Sequence, residues 1–81
     1  MRVSKNDVIC GVSAPIARQL MRAFIDNRPT AVACEVLDVD RESAEQQMMV
    51  FEAAGYIGYS KRVHDADDEW WVTTIKGNAL R

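Results

Sequence analysis

The spacing of the apolar residues changes at Gly55, and this change constrains the fold more than any other feature of the sequence. Before Gly55 the apolar residues recur every three or four positions, which places them on one face of an α-helix. From Ile57 onward they alternate with polar residues, as they do along a half-buried β-strand. The sequence therefore predicts an α+β domain whose helices precede its strands.

The first predicted helix covers residues 13–26. Ser13 is a favourable N-cap residue, and Pro15 lies in the first turn, where its missing N–H group removes no hydrogen bond. Pro29 ends the helical segment, because the residue before a proline is disfavoured in the helical conformation.

Two further helices are predicted, and a tight turn that ends at Asp40 separates them. The second helix covers residues 30–38, with Thr30 as its N-cap residue. The third covers residues 41–54, with Asp40 as its cap and Gly55 at the following position, which tolerates a left-handed backbone. Two helices joined this closely indicate a helix-turn-helix.

The third helix has an apolar side and a polar side. We interpret Ala44, Met48 and Phe51 as core residues that require no cofactor, with Val50 at the edge of their stripe. The opposite side presents residues that solvent or a ligand would meet, namely Glu42, Gln46, Met49 and Ala53, with Glu45 beside them.

Residues 57–75 are predicted to form a β-hairpin with the polar run "DADD" in its loop. Trp70 and Trp71 are adjacent and therefore point to opposite faces, so at most one of them can enter the core. The segments at the two ends are short. Residues 1–12 form an N-terminal extension in which "SKND" can cap a short helical turn that Gly11 ends, and the C-terminal segment is too short for another long helix.

Composition and motifs argue against catalysis. The chain has 81 residues, which suits one domain without a deep cleft, and its one His and two isolated Cys assemble neither a catalytic set nor a metal site. We expect two free thiols, no cofactor, no metal and no enzymatic activity. Since no apolar stretch resembles a signal peptide or a membrane span, we also expect a cytoplasmic protein without membrane contact.

Charge is distributed unevenly along the chain. Five basic residues against two acidic ones give residues 1–28 a charge of +3, whereas five basic against ten acidic residues give residues 29–81 a charge of −5. This matters because cations that neutralise phosphates supply most nonspecific affinity for DNA.

The order of helix, helix, tight turn, helix, glycine and hairpin resembles the winged helix-turn-helix DNA-binding superfamily of bacterial or phage transcription regulators. Two segments carry the resemblance locally: "VFEAAGYI", at the exit from the third helix, and "WWVTTIKGNAL", at the last strand and closing segment. The resemblance covers residues 13–81 and implies a single domain with a three-helix core and a C-terminal hairpin wing.

The resemblance implies a small transcriptional regulator that reads the major groove of double-stranded DNA with its third helix and contacts the backbone with its wing. Transferred by position, it gives eight DNA-binding candidates, which are Thr30, Arg41, Ser43, Gln46, Gln47, Lys61, Arg62 and His64. Gln pairs well with adenine and Arg with guanine, whereas Lys and Arg neutralise phosphates. A single domain makes few contacts, so a homodimer or a second protein is expected to assist.

The acidic residues of the third helix and of the wing support an alternative. Relatives usually carry cations at these positions, so the same surface also suits a protein-interaction module that binds a protein partner and not DNA. The candidates for that interface are Glu42, Glu45, Met49, Ala53, Asp67, Asp68 and Trp70.

Overall fold

The computed structural model describes residues 7–60 and 69–81. This part of the chain is an α+β fold, as the change in apolar spacing predicts. Its elements in chain order are β1 (Val8–Ile9), β2 (Val12–Ser13), α1 (Ala14–Ala23), β3 (Arg28–Pro29), α2 (Thr30–Leu37), α3 (Arg41–Ala53), β4 (Ile57–Tyr59), β5 (Trp70–Thr73) and α4 (Ile75–Leu80).

A small hairpin, and not the expected helical turn, precedes α1. Strands β1 and β2 are antiparallel, with Ile9 opposite Val12. Cys10 and Gly11 form the connecting turn, and both have a positive φ, 53° and 81°. A two-residue hairpin turn with positive φ at both central positions matches the right-handed twist of the strands. Gly11 therefore serves a strand reversal and does not end a helix, while residues 1–6 lie outside the described part.

Helix α1 begins where predicted and ends earlier than expected. Ser13 occupies the N-cap position without a side-chain capping bond. The helix ends at Ala23 because the chain turns into the sheet, and the Phe24 carbonyl accepts a hydrogen bond from the Thr73 N–H group at 2.8 Å. The predicted boundary at residue 26 is therefore wrong by three residues.

Helix α2 starts at Thr30, but Thr30 is not its cap. Pro29 has the extended N-cap conformation, and Thr30 is the first helical residue. At the other end Asp38 adopts a left-handed conformation with φ of 55°, which turns the chain sharply toward α3. The predicted tight connection between the two helices is confirmed.

Helix α3 begins where predicted, and it ends at Ala53, one residue before the predicted boundary at residue 54. The Asp40 carboxylate accepts a hydrogen bond from the Ser43 N–H group at 2.9 Å. At the other end the Gly55 N–H group donates to the Glu52 carbonyl and the Tyr56 N–H group donates to the Phe51 carbonyl, at 2.9 and 3.0 Å. This pair of bonds is the Schellman motif, and Gly55 provides its positive φ of 88°.

The Asp40 cap makes the stability of the protein depend on pH. Hydrogen bonds from the side chain and then the N–H group of Ser43 lower the Asp40 pKa below its ordinary value of 3.8. A lowered pKa means that this stabilisation is present above the ordinary pKa and is lost as pH falls through the folded-state pKa. Asn at the same position still caps the helix but does not titrate.

We therefore expect the melting temperature of the wild-type protein to be higher than that of Asp40→Asn near neutral pH. We expect this difference in melting temperature to become smaller as the pH falls. Thermal melts of both proteins at about pH 7 and about pH 3 measure it. A melting difference that stays the same at the two pH values contradicts the assignment.

The second sheet has the strand order β3-β5-β4 and is antiparallel. The pairing of β4 with β5, in which Ile57 lies opposite Thr73, confirms the predicted hairpin within the described residues. Residues 61–68, which hold the predicted loop, lie outside them. The two-residue strand β3 was not predicted. Helix α4 is only six residues long, in agreement with the short C-terminal segment, and the Thr74 hydroxyl caps it by accepting from the Gly77 N–H group.

The core lies between α1, α2, α3 and the inner face of the second sheet. Trp71 is the tryptophan that enters it, with 2% of its surface exposed, whereas Trp70 is half-buried on the other face. The apolar core residues are Ile9, Ala14, Ala17, Leu20, Met21, Phe24, Ala33, Ala44, Met48, Phe51, Ile57 and Trp71.

Candidate functional site

The surface of α3 opposite the core is the candidate site. An α-helix has about 3.6 residues per turn, so each residue is rotated about 100° from the one before it. Ala44, Met48 and Phe51 are fully buried and define the inner side of α3. We call the opposite side the outer face, and its members are all exposed, namely Glu42, Gln46, Met49, Val50 and Ala53.

The acidic charge of α3 is concentrated away from the outer face. Glu45 and Glu52 lie about a quarter turn from the centre of that face on the same flank as Arg41, by the helical rotation. Arg41 Nε donates to Glu45 Oε1 at 2.8 Å, and both side chains are about two-fifths exposed (43% and 42%). Such an exposed pair stabilises the helix by roughly 0.3–0.5 kcal/mol. Only Glu42 places a charge on the outer face itself.

Gln47 points away from the outer face. Its Nε2 group donates a hydrogen bond to the Cys10 carbonyl at 2.7 Å, which ties α3 to the turn between β1 and β2. This position and this bond count against its predicted role as a groove contact, because one of the two N–H groups of its carboxamide serves an internal bond. The sequence did not show this bond because the N-terminal hairpin that supplies the acceptor was not predicted.

Thr30 is also removed from the predicted DNA contacts. Its side chain is fully buried. The hydroxyl donates to the Glu69 carbonyl at 3.0 Å and accepts from Trp71 Nε1 at 2.8 Å. A hydroxyl engaged in this way joins α2 to β5 and has no surface to offer a phosphate.

Ser43 lies at the edge of a cleft beside α3. The cleft has a volume of about 330 Å³ and lies between the hairpin of β1 and β2, the start of α1, the end of α2 and the first half of α3. Its lining is uncharged and comprises Gly11, Val12, Ser13, Ile16, Leu37, Val39, Ser43 and Gln47. Ser43 is exposed, and its N–H group donates to the Asp40 carboxylate. Of the predicted groove contacts, Arg41, Ser43 and Gln46 therefore remain on the described surface.

The outer face is more apolar than the sequence indicated. Val50 was assigned to the edge of the core stripe, but 47% of its surface is exposed, and Met49 is 59% exposed. Helical rotation explains the correction, because Val50 lies closer to Gln46 than to Met48 on the helix surface. Ala53 completes an exposed apolar group on the second half of α3.

Several predicted site residues cannot be placed on this surface. Lys61, Arg62 and His64, and the acidic candidates Asp67 and Asp68, lie outside the described residues. Trp70 is described and is half-buried in β5. Its indole nitrogen is buried and has no hydrogen-bond partner among residues 7–60 and 69–81.

Cys10 and Cys34 are free and partly buried, as predicted. Burial raises the pKa of the Cys10 thiol, and the Lys76 charge opposes this shift without cancelling it. The raised pKa keeps the thiol protonated, which makes it a poor nucleophile. Within the described ranges, no group of three or more His, Cys, Asp or Glu residues is arranged to hold a metal ion.

No helix in the described part of the chain has the length and apolar character needed to cross a membrane. Comparisons of the chain with known protein families, with curated proteins and with solved structures found no match. The geometry of the site therefore carries the functional argument.

Proposed function

We propose that the chain is a winged helix-turn-helix domain that binds double-stranded DNA as a small transcriptional regulator. In this proposal α3 enters the major groove, and the hairpin of β4 and β5 is the wing that approaches the DNA backbone. The order of the elements supports it, because α1 and the tightly connected pair of α2 and α3 are followed directly by the antiparallel hairpin.

The observation that carries the proposal is the exposed and almost uncharged outer face of α3. A helix with its side chains is about 10–12 Å wide, and the major groove is about as wide. Every outer-face residue from Glu42 to Ala53 is exposed, so the whole length of the helix is available to a groove. The acidic flank that argues against DNA lies to one side, where Arg41 offsets part of its charge.

Electrostatics set the expected strength of binding. Counterion release from phosphates supplies most sequence-independent affinity, and it requires cations at the interface. Within α3, all of which the structure describes, Arg41 is the single basic residue and it is paired with Glu45. We therefore expect weak nonspecific binding, and we expect a second copy of the chain or a second protein to supply further contacts. The wing candidates Lys61, Arg62 and His64 remain predictions.

A charge reversal on the outer face tests the proposal. We expect Glu42→Lys to strengthen binding to a randomised duplex by about tenfold at low salt. We also expect the slope of log affinity against log salt concentration to become steeper by the amount that about one additional neutralised phosphate gives. Fluorescence anisotropy titrations at two salt concentrations measure both quantities. Glu35→Lys, on the exposed surface of α2, is the matched control because it changes the net charge equally.

The two variants separate a local effect from a general one. A larger gain for Glu42→Lys than for Glu35→Lys supports α3 as the element that lies against the DNA. Equal gains show that net charge alone governs the binding, and they contradict the assignment of α3.

A second candidate function, a protein-interaction module, is supported by Met49 and Val50. These side chains are 59% and 47% exposed and lie between the charges of Glu42 and Glu52. Exposed apolar groups beside charged residues suit a protein interface, and the assignment of Glu45, Ala53 and Trp70 to that interface stays a prediction. If a basic protein is the partner, Glu42→Lys weakens the complex, which is the opposite of its expected effect on DNA.

A further inference from the structure

We infer that the outer face of α3 selects a run of A·T base pairs with one G·C pair at its end, and that Gln46 is the residue that specifies adenine. This inference rests on the proposed function and goes beyond it, because it names the sequence class that the face recognises. Its basis is the kind of hydrogen-bonding and apolar groups that the outer face presents, and their order along the helix.

Gln46 is the only outer-face residue with both a donor and an acceptor on its side chain. A glutamine carboxamide pairs in a bidentate manner with the N6 and N7 groups of adenine in the major groove. Gln46 is exposed near the centre of the face, whereas the neighbouring Gln47 is held by the Cys10 carbonyl. The two glutamines are therefore not equivalent, and only Gln46 presents its carboxamide on the outer face.

Apolar side chains follow Gln46 at the spacing that keeps them on the same side of the helix. Met49 and Val50 lie three and four residues further along, and Ala53 lies one turn beyond them. Apolar groups in the major groove contact the C5-methyl group of thymine, which the other bases lack. These residues therefore favour thymine at the base pairs next to the one read by Gln46.

Guanine has no comparable reader on this face. The commonest specific contact to guanine is a bidentate Arg or Lys, and α3 has no basic residue besides Arg41. Arg41 lies on the flank, with its Nε group donating to Glu45 Oε1 at 2.8 Å. Glu42, one turn before Gln46, suits the amino group of cytosine. We therefore expect one G·C pair at the Glu42 end of a site that is otherwise A·T.

The test is a selection of bound sequences from a randomised duplex pool at low salt, using the whole chain and its Gln46→Arg variant. Wild-type protein is expected to enrich A·T pairs. Gln46→Arg is expected to replace adenine by guanine at one position of the selected site, with a change in preference of at least about fivefold. Gln19→Arg, on the exposed surface of α1, adds the same charge elsewhere and is expected to retain the wild-type preference.

Two other outcomes overturn the inference in different ways. If the wild type binds duplexes but Gln46→Arg keeps the same base preference, the assignment of Gln46 is wrong while the proposed function stands. If the wild type retains no duplex at low salt, both the assignment of Gln46 and the proposed DNA-binding function are wrong. The outer face is then assigned to a protein partner. Gln46→Ala is a second variant that only removes an exposed carboxamide and is therefore expected to fold like the wild type. It is expected to lose the adenine preference.

Discussion

Replacing Gly77 by alanine is expected to destabilise the protein by about 1–3 kcal/mol, although alanine is the better helix former by about 1 kcal/mol. Gly77 is buried within α4, where a Cβ atom would collide with the Tyr56 carbonyl oxygen and lie 3.0 Å from the sulfur of Met21. The carbonyl cannot easily move aside, because it accepts the Thr74 N–H group at 3.0 Å. Helix α4 would have to shift away from α1.

Urea denaturation of the wild type and Gly77→Ala measures this effect. Gly58→Ala is the matched control, because a Cβ atom at Gly58 meets no atom within 4 Å and the backbone there does not require glycine. The control is expected to change stability by less than about 0.5 kcal/mol or to increase it. If Gly77→Ala is as stable as the wild type, the close packing of α4 on Tyr56 and Met21 is incorrect.

Replacing Trp71 by alanine is expected to have the largest effect, a loss of about 3–5 kcal/mol. Trp71 fills the core with only 2% of its surface exposed, and its indole N–H group donates to the Thr30 hydroxyl at 2.8 Å. The Tyr59 ring also packs edge-on against it, with 5.5 Å between ring centroids. Since small domains are stable by about 5–15 kcal/mol, this loss removes much of the total.

Trp70→Ala is the control for Trp71→Ala, since the two residues are adjacent in β5 and project to opposite faces. Trp70 is half-buried, so its loss is expected to cost less. Thermal unfolding followed by far-UV circular dichroism compares the variants without relying on tryptophan fluorescence. A larger loss of stability for Trp70→Ala would contradict the assignment of Trp71 to the core.

The elements that the sequence predicted best are those fixed by local chemistry. Asp40, the apolar stripe of Ala44, Met48 and Phe51, and Gly55 determine α3 within a single stretch of chain. The elements that were missed depend on distant partners. The strand β3 has two residues, one of them a proline, and exists only because β5 pairs with it.

The same distinction applies to the candidate site. The exposure of Gln46 and Met49 follows from helical spacing, and so the sequence predicted it. The burial of Thr30 could not be predicted in this way, because its hydroxyl is bound by Glu69 and Trp71 from the far end of the chain. The exposure of Val50 was not predicted, although the rotation of about 100° per residue places Val50 on the side of α3 opposite the core residue Met48.

The most direct test of the central claim, that α3 reads DNA, is an anisotropy titration of the wild-type chain against a randomised duplex pool. It is performed at low and at physiological salt, with light scattering on the same sample to give its mass. We expect weak binding at low salt that decreases as salt rises, because contacts to phosphate weaken in this way. If the folded protein, whether monomeric or dimeric, does not bind duplex DNA at low salt, α3 does not read DNA.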